Sequence, residues 1–272
     1  FGGQADLQSG IVRAVGVPRQ RFTEDALRIL RLYRFAARFG FAIDPPTAQA
    51  AQELCAHLDC VSVERIEEEL AKLLSAPAPA AYLDEKILGV VLPELSPEAL
   101  AAAKPVVDAC PAGEQALPVR LAALLLSLGE DGTRRTLRHL RCSNACIEET
   151  AVLVREVVSG VPVSLNIYAR RLLGKYNLCT VQRLAALGTA LQPERLADFA
   201  ALSELAERLD ADGVCCRVSQ LAVNGRDLMA AGVPAGPGIR KVLEALLDGV
   251  IREEYPNDRQ ALLAAVQQLA AS

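Results

Sequence analysis

An all-α fold is what this sequence predicts, and three observations predict it. Alanine and leucine dominate, aromatic residues make up only 4% and tryptophan is absent, so strong helix formers prevail. The β-branched clusters are short: Ile11-Val12, Val15 and Val161-Pro162-Val163. Apolar residues recur at helical spacing, as in Ile66, Leu70, Leu73 and Leu74. With 272 residues, 51% of them apolar, the chain has material for one large unit or two to three small ones.

The elements follow in order. Residues 1–19 read as strand and turn, punctuated by Gly2-Gly3, Gly10 and Gly16-Val17-Pro18. Thr23 is placed to cap a helix over Glu24–Phe39, with Gly40 as its stop and Leu27, Leu30, Phe35 and Ala36 as its packing side. A second helix starts near Pro46 or Thr47 and reaches Leu58. Ser62 caps a third over Val63–Leu74, with acids early and Lys72 late to suit the helix dipole. Ser75-Ala76-Pro77-Ala78-Pro79 interrupts the pattern and marks a boundary. Helix resumes over Ala80–Leu88, and Pro105–Leu117 reads as loop. Val119–Leu128 is apolar enough to be buried, and Gly129-Glu130-Asp131-Gly132 ends it. Helices follow at Thr133–Leu140, Asn144–Ser159, Ser164–Tyr176, Thr180–Ala190 and Glu194–Leu209, while Val214–Val218 has no assigned state. Asn224–Ala231 and Pro237–Gly249 flank a Gly-Val-Pro-Ala-Gly turn, and Asp258–Ala271 closes the chain. There is no fixed-period repeat.

Composition narrows the function. No stretch reaches the ~18–20 uninterrupted apolar residues of a membrane span, so no membrane partner is expected. The amino terminus lacks the basic-then-apolar layout of a secretory signal. The eight cysteines are Cys55, Cys60, Cys110, Cys142, Cys146, Cys179, Cys215 and Cys216, and none forms a Cys-x-x-Cys pair. Cys142 and Cys146 can share a helix face, but with no second pair nearby and only His57 and His139 in the chain, no metal site is expected. Cysteines scattered among alanines and leucines suit a reduced, cytoplasmic setting. Net charge is −4, yet between Arg13 and Arg38 seven arginines face Glu24 and Asp25, a local balance of +5. A patchy field of this kind suits a polyanion bound along one side. The smaller clusters at Arg134-Arg135, Arg138 to Arg141, and Arg170-Arg171 with Lys175 read first as solvated helix faces.

The richest stretch is Arg21–Arg38. Glu24 and Asp25 stand one turn ahead of Arg28, Arg31 and Arg34. On a helix, a carboxylate and a guanidinium three residues apart lie on adjoining faces. Cytosine and adenine both offer an exocyclic amino donor beside a ring-nitrogen acceptor. Asp25 can accept from the amino group and Arg28 can donate to the ring nitrogen, whereas uracil and guanine reverse the pattern. Such an edge selects C and A without a template. The same residues also read as a helix-capping acid with an intrahelical ion pair, and the pattern alone leaves both readings open. Arg31 and Arg34 drift round the helix in steps of three and can reach a triphosphate or RNA phosphate, or lie on the surface as solvated arginines. Glu24 orients Arg28 or caps the helix. Glu64, Arg65 and Glu69 belong to the third helix, where Glu64 or Glu69 can hold an arginine fork in place or face solvent. Gly236-Pro237-Gly238-Ile239-Arg240-Lys241 opens a helix with small residues and two cations. Free backbone N–H groups at such a start bind phosphate, and a plain packed helix start is the other reading.

A family resemblance is carried by Phe1-Gly2-Gly3, Asp6-Leu7, Ile11-Val12-Arg13, Val15-Gly16, Arg21-Phe22, Glu24-Asp25, Arg28, Arg31 and Arg34-Phe35-Ala36. It continues through Ser62-Val63-Glu64-Arg65-Ile66 with Glu69-Leu70, and near the end through Asn224-Gly225-Arg226-Asp227-Leu228, Gly232, Gly236-Pro237-Gly238-Ile239 and Asn257. In these residues the chain resembles the bacterial class II tRNA nucleotidyltransferases, the CCA-adding enzymes, and their poly(A) polymerase relatives. The resemblance implies an elongated all-α neck, body and tail after a strand-and-turn remnant of a catalytic head. The implied limits are 1–19 for the remnant, 20–78 for a neck that reads the base, 79–195 for the body and 196–272 for a tRNA-binding tail. The implied activity is template-independent addition of CMP and AMP, from CTP and ATP, to the tRNA 3′ end. Asp25, Arg28, Arg31 and Arg34 would bind the nucleotide, with Glu24, Glu64, Arg65 and Glu69 in support. Gly236, Gly238, Arg240 and Lys241 would meet the tRNA elbow. The family's Gly-rich loop followed by an Asp-x-Asp pair has no match: Asp210-Ala211-Asp212 comes late and reads as a turn. Residue 1 is Phe and the only methionine is Met229. The expectation is therefore a chain that begins inside the head, with Mg²⁺ bound by the absent head domain, no catalytic residue of its own and no activity alone. The absence of a His-Asp dyad excludes the metal phosphohydrolase domain of some relatives. A poly(A) polymerase, an enzyme adding part of CCA, and a non-catalytic helical RNA-binding protein are the alternatives. A homodimer is compatible with all of them.

Overall fold

The computed structural model describes residues 2–157 and 164–270, and these are predominantly helical with one pair of two-residue strands. Phe1, Ser159, the Val161-Pro162-Val163 cluster and Ala271 lie outside the described residues. The chain divides into two compact units, residues 1–160 with 186–194, and residues 161–185 with 195–272. No helix among the described residues is long and apolar enough to cross a membrane.

The first unit runs α1 (Gly3–Ser9), β1 (Ile11–Val12), α2 (Pro18–Glu24), α3 (Leu27–Phe39), β2 (Ala42–Ile43), α4 (Pro45–Glu53), α5 (Val63–Leu74), α6 (Glu85–Val91), α7 (Pro97–Ala109), α8 (Leu117–Leu125), α9 (Gly129–His139) and α10 (Asn144–Val157). β1 and β2 pair in parallel, Ile11 with Ala42 and Val12 with Ile43. α3 and α5 pack against each other; α5 buries Ile66, Leu70, Leu73 and Leu74, the stripe that the apolar spacing predicts, while α3 buries Leu27, Leu30 and Ala36 of its predicted side together with Ile29 and Tyr33 and leaves Phe35 half-buried. Behind them α7, α8, α9 and α10 pack as neighbours. α8 is buried from Pro118 to Leu125. Arg120, in its first turn, is fully buried.

After α11 (Leu165–Lys175) and α12 (Leu178–Leu191) come α13 (Leu196–Ala211), α14 (Gly225–Ala230), α15 (Pro237–Ile251) and α16 (Arg259–Ala270). In the second unit α11 packs on α13. Leu228, Leu246, Val250, Leu262 and Val266 form a core between α14, α15 and α16. Asn257 ties the connection before α16 to residues 220–222, donating to Gln220 O at 2.9 Å and accepting from Ala222 N at 2.9 Å.

Five sequence expectations change. Residues 1–19 are not only strand and turn, since α1 forms there and α2 opens at Pro18, whose fixed φ suits the first helical position. Thr23 caps nothing: it lies inside α2 with its hydroxyl on Arg19 O at 2.8 Å. The predicted Glu24–Phe39 helix is broken at Asp25, which is extended at φ −154° and ψ 102°. The predicted loop from Pro105 is helix as far as Ala109, because Ser96 caps α7 by accepting from Ala99 N at 3.2 Å and Pro97 occupies its first turn. Pro105 is tolerated inside it; Ala101, whose carbonyl loses a donor, is exposed to water. Gly129 begins α9 rather than ending the preceding helix, and its φ of 66° makes the corner. Smaller differences are 3₁₀ turns at Cys55–Cys60, Ala80–Tyr82 and Val218–Gln220, where helix, helix and no assigned state were expected.

Candidate functional site

The α2–α3 junction is the centre of the site, and Asp25 makes the junction. Its Oδ1 accepts from Leu27 N at 3.1 Å, satisfying a free donor at the start of α3. Its Oδ2 accepts from the Arg65 guanidinium of α5 at 3.2 Å. Asp25 is therefore a capping acid held from a second helix, and it precedes α3 instead of sharing one helix with Arg28. No ion pair joins Asp25 to Arg28.

Arg28 turns the other way. One of its terminal nitrogens donates to Glu24 Oε2 at 2.8 Å and to Arg21 O at 3.2 Å. Glu24 also accepts from Arg21 at 3.0 Å, so this carboxylate sits between two guanidinia. Arg28 first, and Arg21 second, hold the Glu24 carboxyl below the usual carboxylate pKa. Arg21 Nε donates to Val15 O at 3.0 Å and fastens α2 to the loop after β1. Ala14 N donates to Thr47 Oγ1 at 3.3 Å, fastening that loop to α4.

These tethers shape a cleft of about 410 Å³ lined by Arg13, Arg21, Arg28, Arg31, Phe22 and Phe35 among others. Arg31 is exposed on its wall and makes no hydrogen bond or ion pair with a described residue. Arg13 pairs with Asp6 at 3.0 Å and lies 3.6 Å from Asp44. Four arginines among apolar walls, of which Arg31 alone is without a partner among the described residues, suit a phosphate-rich ligand, since a guanidinium presents a fork of donors to phosphate oxygens. Arg13 and Arg21 were not among the predicted site residues. The available signal was Pro18 at a helix start, which opens a separate short helix and places Arg21 in its last turn.

Arg34 does not join the cleft. It is buried, stacks over the Phe35 ring at 4.0 Å and forms an ion pair with Glu69 of α5, with both side chains only 10% exposed. Glu64 pairs with Arg141 instead of with an arginine of α3. The structure thus pairs Arg28 with Glu24, sets Arg31 beside Arg28 in the cleft, joins Asp25 to Arg65, takes Arg34 and Glu69 into the packing and leaves Glu64 on the surface with Arg141. Among the described residues, no group of three or more His, Cys, Asp or Glu side chains is arranged to hold a metal ion.

The second predicted site opens α15. Gly236 has φ 141°, a value few other residues tolerate, and Gly236 and Gly238 are both open to solvent. Arg240 pairs with Glu244 at 2.8 Å, while the exposed Lys241 has no partner among the described residues.

Residues 119–266 match the family described as tRNA nucleotidyltransferase domain 2. Residues 40–98 match the family described as "Probable RNA and SrmB- binding site of polymerase A". The CCA-adding enzyme of Limosilactobacillus fermentum is 32% identical over 99% of this chain and 66% of its own length. That of Geobacillus stearothermophilus is 30% identical over 97% of this chain and 65% of its own length. The chain thus spans just under two thirds of the length of these curated relatives. Among solved structures, the Bacillus stearothermophilus CCA-adding enzyme in complex with CTP superposes with a TM-score of 0.81 at 25% identity, covering 100% of this chain and 68% of that one. The Thermotoga maritima CCA-adding enzyme complexed with tRNA shares the fold at a TM-score of 0.66 and 19% identity, over 99% of this chain and 67% of that one.

Proposed function

We propose that this chain, which belongs to the class II tRNA nucleotidyltransferase family, is the base-selecting and tRNA-gripping part of a CCA-adding enzyme. The complete enzyme transfers CMP and AMP from CTP and ATP to a tRNA 3′ end and releases pyrophosphate. In this reading residues 20–78 are the neck, 79–195 the body and 196–272 the tail, with 1–19 leading in from the head. The observation that carries it is the α2–α3 junction, where an arginine-lined cleft lies beside a fixed carboxylate. Arg28 and Arg31, with Arg13 and Arg21, would take the phosphates or the base edge. Asp25, held open by Arg65 and Leu27 N, would accept from the amino group of C or A. Arg34 and Glu69 position α3 instead of touching nucleotide.

The test is nucleotide binding by the chain itself. CTP and ATP should bind more tightly than UTP and GTP by about 1–3 kcal/mol, the discrimination of a good base-edge pair. Asp25→Ala should flatten that preference, and Arg28→Ala should flatten it and weaken all four. Equal affinities for the four nucleotides in the unaltered chain would overturn the reading.

The described residues do not fit a Mg²⁺ site, since among them there is no carboxylate cluster, and the sequence has no Asp-x-Asp pair after a Gly-rich loop. Phosphoryl transfer without that charge stabilisation is very slow. The 272-residue chain alone should incorporate no labelled CMP or AMP into tRNA lacking CCA. Measurable Mg²⁺-dependent incorporation would refute this.

The start of α15 is proposed as a tRNA phosphate contact. Lys241→Glu should weaken binding of elbow-bearing tRNA and reduce the log–log salt slope by about 1, the mark of one lost phosphate contact. An acceptor-stem minihelix should be hardly affected. An unchanged slope in an anisotropy titration would return Gly236–Lys241 to a packing role. The match of residues 40–98 supports a second reading, a poly(A) polymerase. A preference for ATP without one for CTP in the same binding experiment would favour it.

A further inference from the structure

Arg28 is oriented from outside its own helix. Of its guanidinium nitrogens, Nη1 donates to Glu24 Oε2 at 2.8 Å and to Arg21 O at 3.2 Å. Nε and Nη2 have no partner among the described residues, and the side chain lines the cleft. Glu24 is held in turn. Arg21 Nη1 donates to both of its oxygens, at 3.2 Å to Oε1 and 3.0 Å to Oε2. Arg21 Nε donates to Val15 O at 3.0 Å, in the loop after β1. Gly16 turns that loop at φ 81°, a left-handed value that glycine adopts freely. Contacts therefore run unbroken from the loop backbone, through Arg21 and Glu24, to Arg28.

These contacts do more for direction than for stability. The side chains of Arg21, Glu24 and Arg28 are 43%, 49% and 41% exposed, and ion pairs this open add little to folding. What they restrict is rotation: a carboxylate shared by two guanidinia, one of them anchored on a carbonyl, leaves Arg28 few rotamers. Donors set in place beforehand lose less freedom when a ligand arrives. The anchoring needs a fork. Arg21 uses two nitrogens of one rigid plane to reach a carbonyl and a carboxylate together, whereas the ammonium of a lysine is a single point.

We propose that Arg21 is a positioning residue for nucleotide selection: it fastens Glu24 to the loop after β1, and Glu24 fixes the donor edge that Arg28 presents to the base. This role rests on the cleft being the nucleotide site. Arg21 retains Nη2 for a phosphate, so charge and position are separable contributions of one side chain. Arg21→Lys keeps the charge that a phosphate senses and loses the fork that sets Arg28. A contact to phosphate alone acts on all four nucleotides alike, since the phosphates are common to them. A misplaced Arg28 acts on the preference for CTP and ATP.

The test is binding of CTP, ATP, UTP and GTP to the full chain, with a urea midpoint recorded for every variant. Arg21→Lys should lower the CTP-over-UTP and ATP-over-GTP affinity ratios at least about threefold, a part of what a base-edge pair contributes, with the midpoint unchanged. Arg21→Ala should lower those ratios as far and weaken all four nucleotides besides. In an Arg28→Ala chain, Arg21→Lys should change the ratios by less than about 1.5-fold, because residues acting through one contact are not additive. Ratios in Arg21→Lys within about 1.5-fold of those of the unaltered chain would overturn the proposal and leave Arg21 a phosphate contact. So would a fall of the same size with and without Arg28, or a fall accompanied by a lowered midpoint. Equal affinities for the four nucleotides in the unaltered chain would instead remove the nucleotide reading itself, and this role with it.

Discussion

Arg120→Met should cost at least about 4 kcal/mol and leave the first unit without its native packing at 25 °C. Arg120 is fully buried and meets no carboxylate at hydrogen-bonding distance. Its guanidinium instead donates to five backbone carbonyls: Leu74 and Ala76, Pro77 at 3.3 Å, Cys110 at 3.2 Å and Pro111 at 2.7 Å. These carbonyls lie at and just beyond the ends of α5 and α7, where helices leave acceptors without donors and carry partial negative charge. The prolines at 77, 79 and 111 supply no N–H to these acceptors. Burial pulls the Arg120 pKa below the ordinary guanidinium value, opposed by Cys110 and Asp108. Methionine fills much of the volume but leaves five acceptors dry, each of which costs about 1–3 kcal/mol when buried and unmet. Lysine keeps the charge but has three donors on one point and should recover only part of the loss. Hydrogen exchange in α5, α7 and α8, with urea unfolding, checks this. A methionine variant within about 0.5 kcal/mol of the unaltered chain would mean that water reaches those carbonyls.

That arginine also shows where sequence reading stopped. α8 was legible as a buried apolar helix, but Arg120 within it was not among the residues the sequence singled out. Its partners are backbone atoms of residues up to 46 positions away, and no side-chain pattern announces them. The bounds and stripe of α5 were legible to the residue, although Ser62 stands at its start without a side-chain capping bond. The break at Asp25 was not, since Thr-Glu-Asp-Ala reads locally as a helix start. Pro18 upstream and Arg65, 40 residues downstream, decide against that. The charge chemistry of the site was visible in the spacing of Arg28 and Arg31. The cleft was not, because Arg13 and Arg21 reach it only once β1 pairs with β2 and the loop after β1 is tied to α2 and α4.

Glu69→Ala should destabilise the first unit by about 3 kcal/mol, the usual consequence of leaving one partner of a buried ion pair uncompensated. Arg34 and Glu69 face each other across the α3–α5 interface, each about nine-tenths buried. Removing the carboxylate strands a guanidinium that has only the Phe35 ring left as a neighbour of suitable charge distribution. Replacing both residues, as in Arg34→Met with Glu69→Leu, should return stability to within about 1 kcal/mol of the original, since a well-packed apolar pair substitutes for a buried ionic one. The two variants separate stability from placement. α3 carries Arg28 and Arg31 and is capped by Asp25, and Arg65 on α5 holds that cap. The double replacement should therefore preserve nucleotide preference where Glu69→Ala, measured below its unfolding transition, loses affinity for every nucleotide alike. Urea midpoints for Arg34→Met, Glu69→Leu and the double variant, with the unaltered chain, form the cycle. A coupling near zero would show that Arg34 and Glu69 are each satisfied by water and that α3 is held by its apolar face alone.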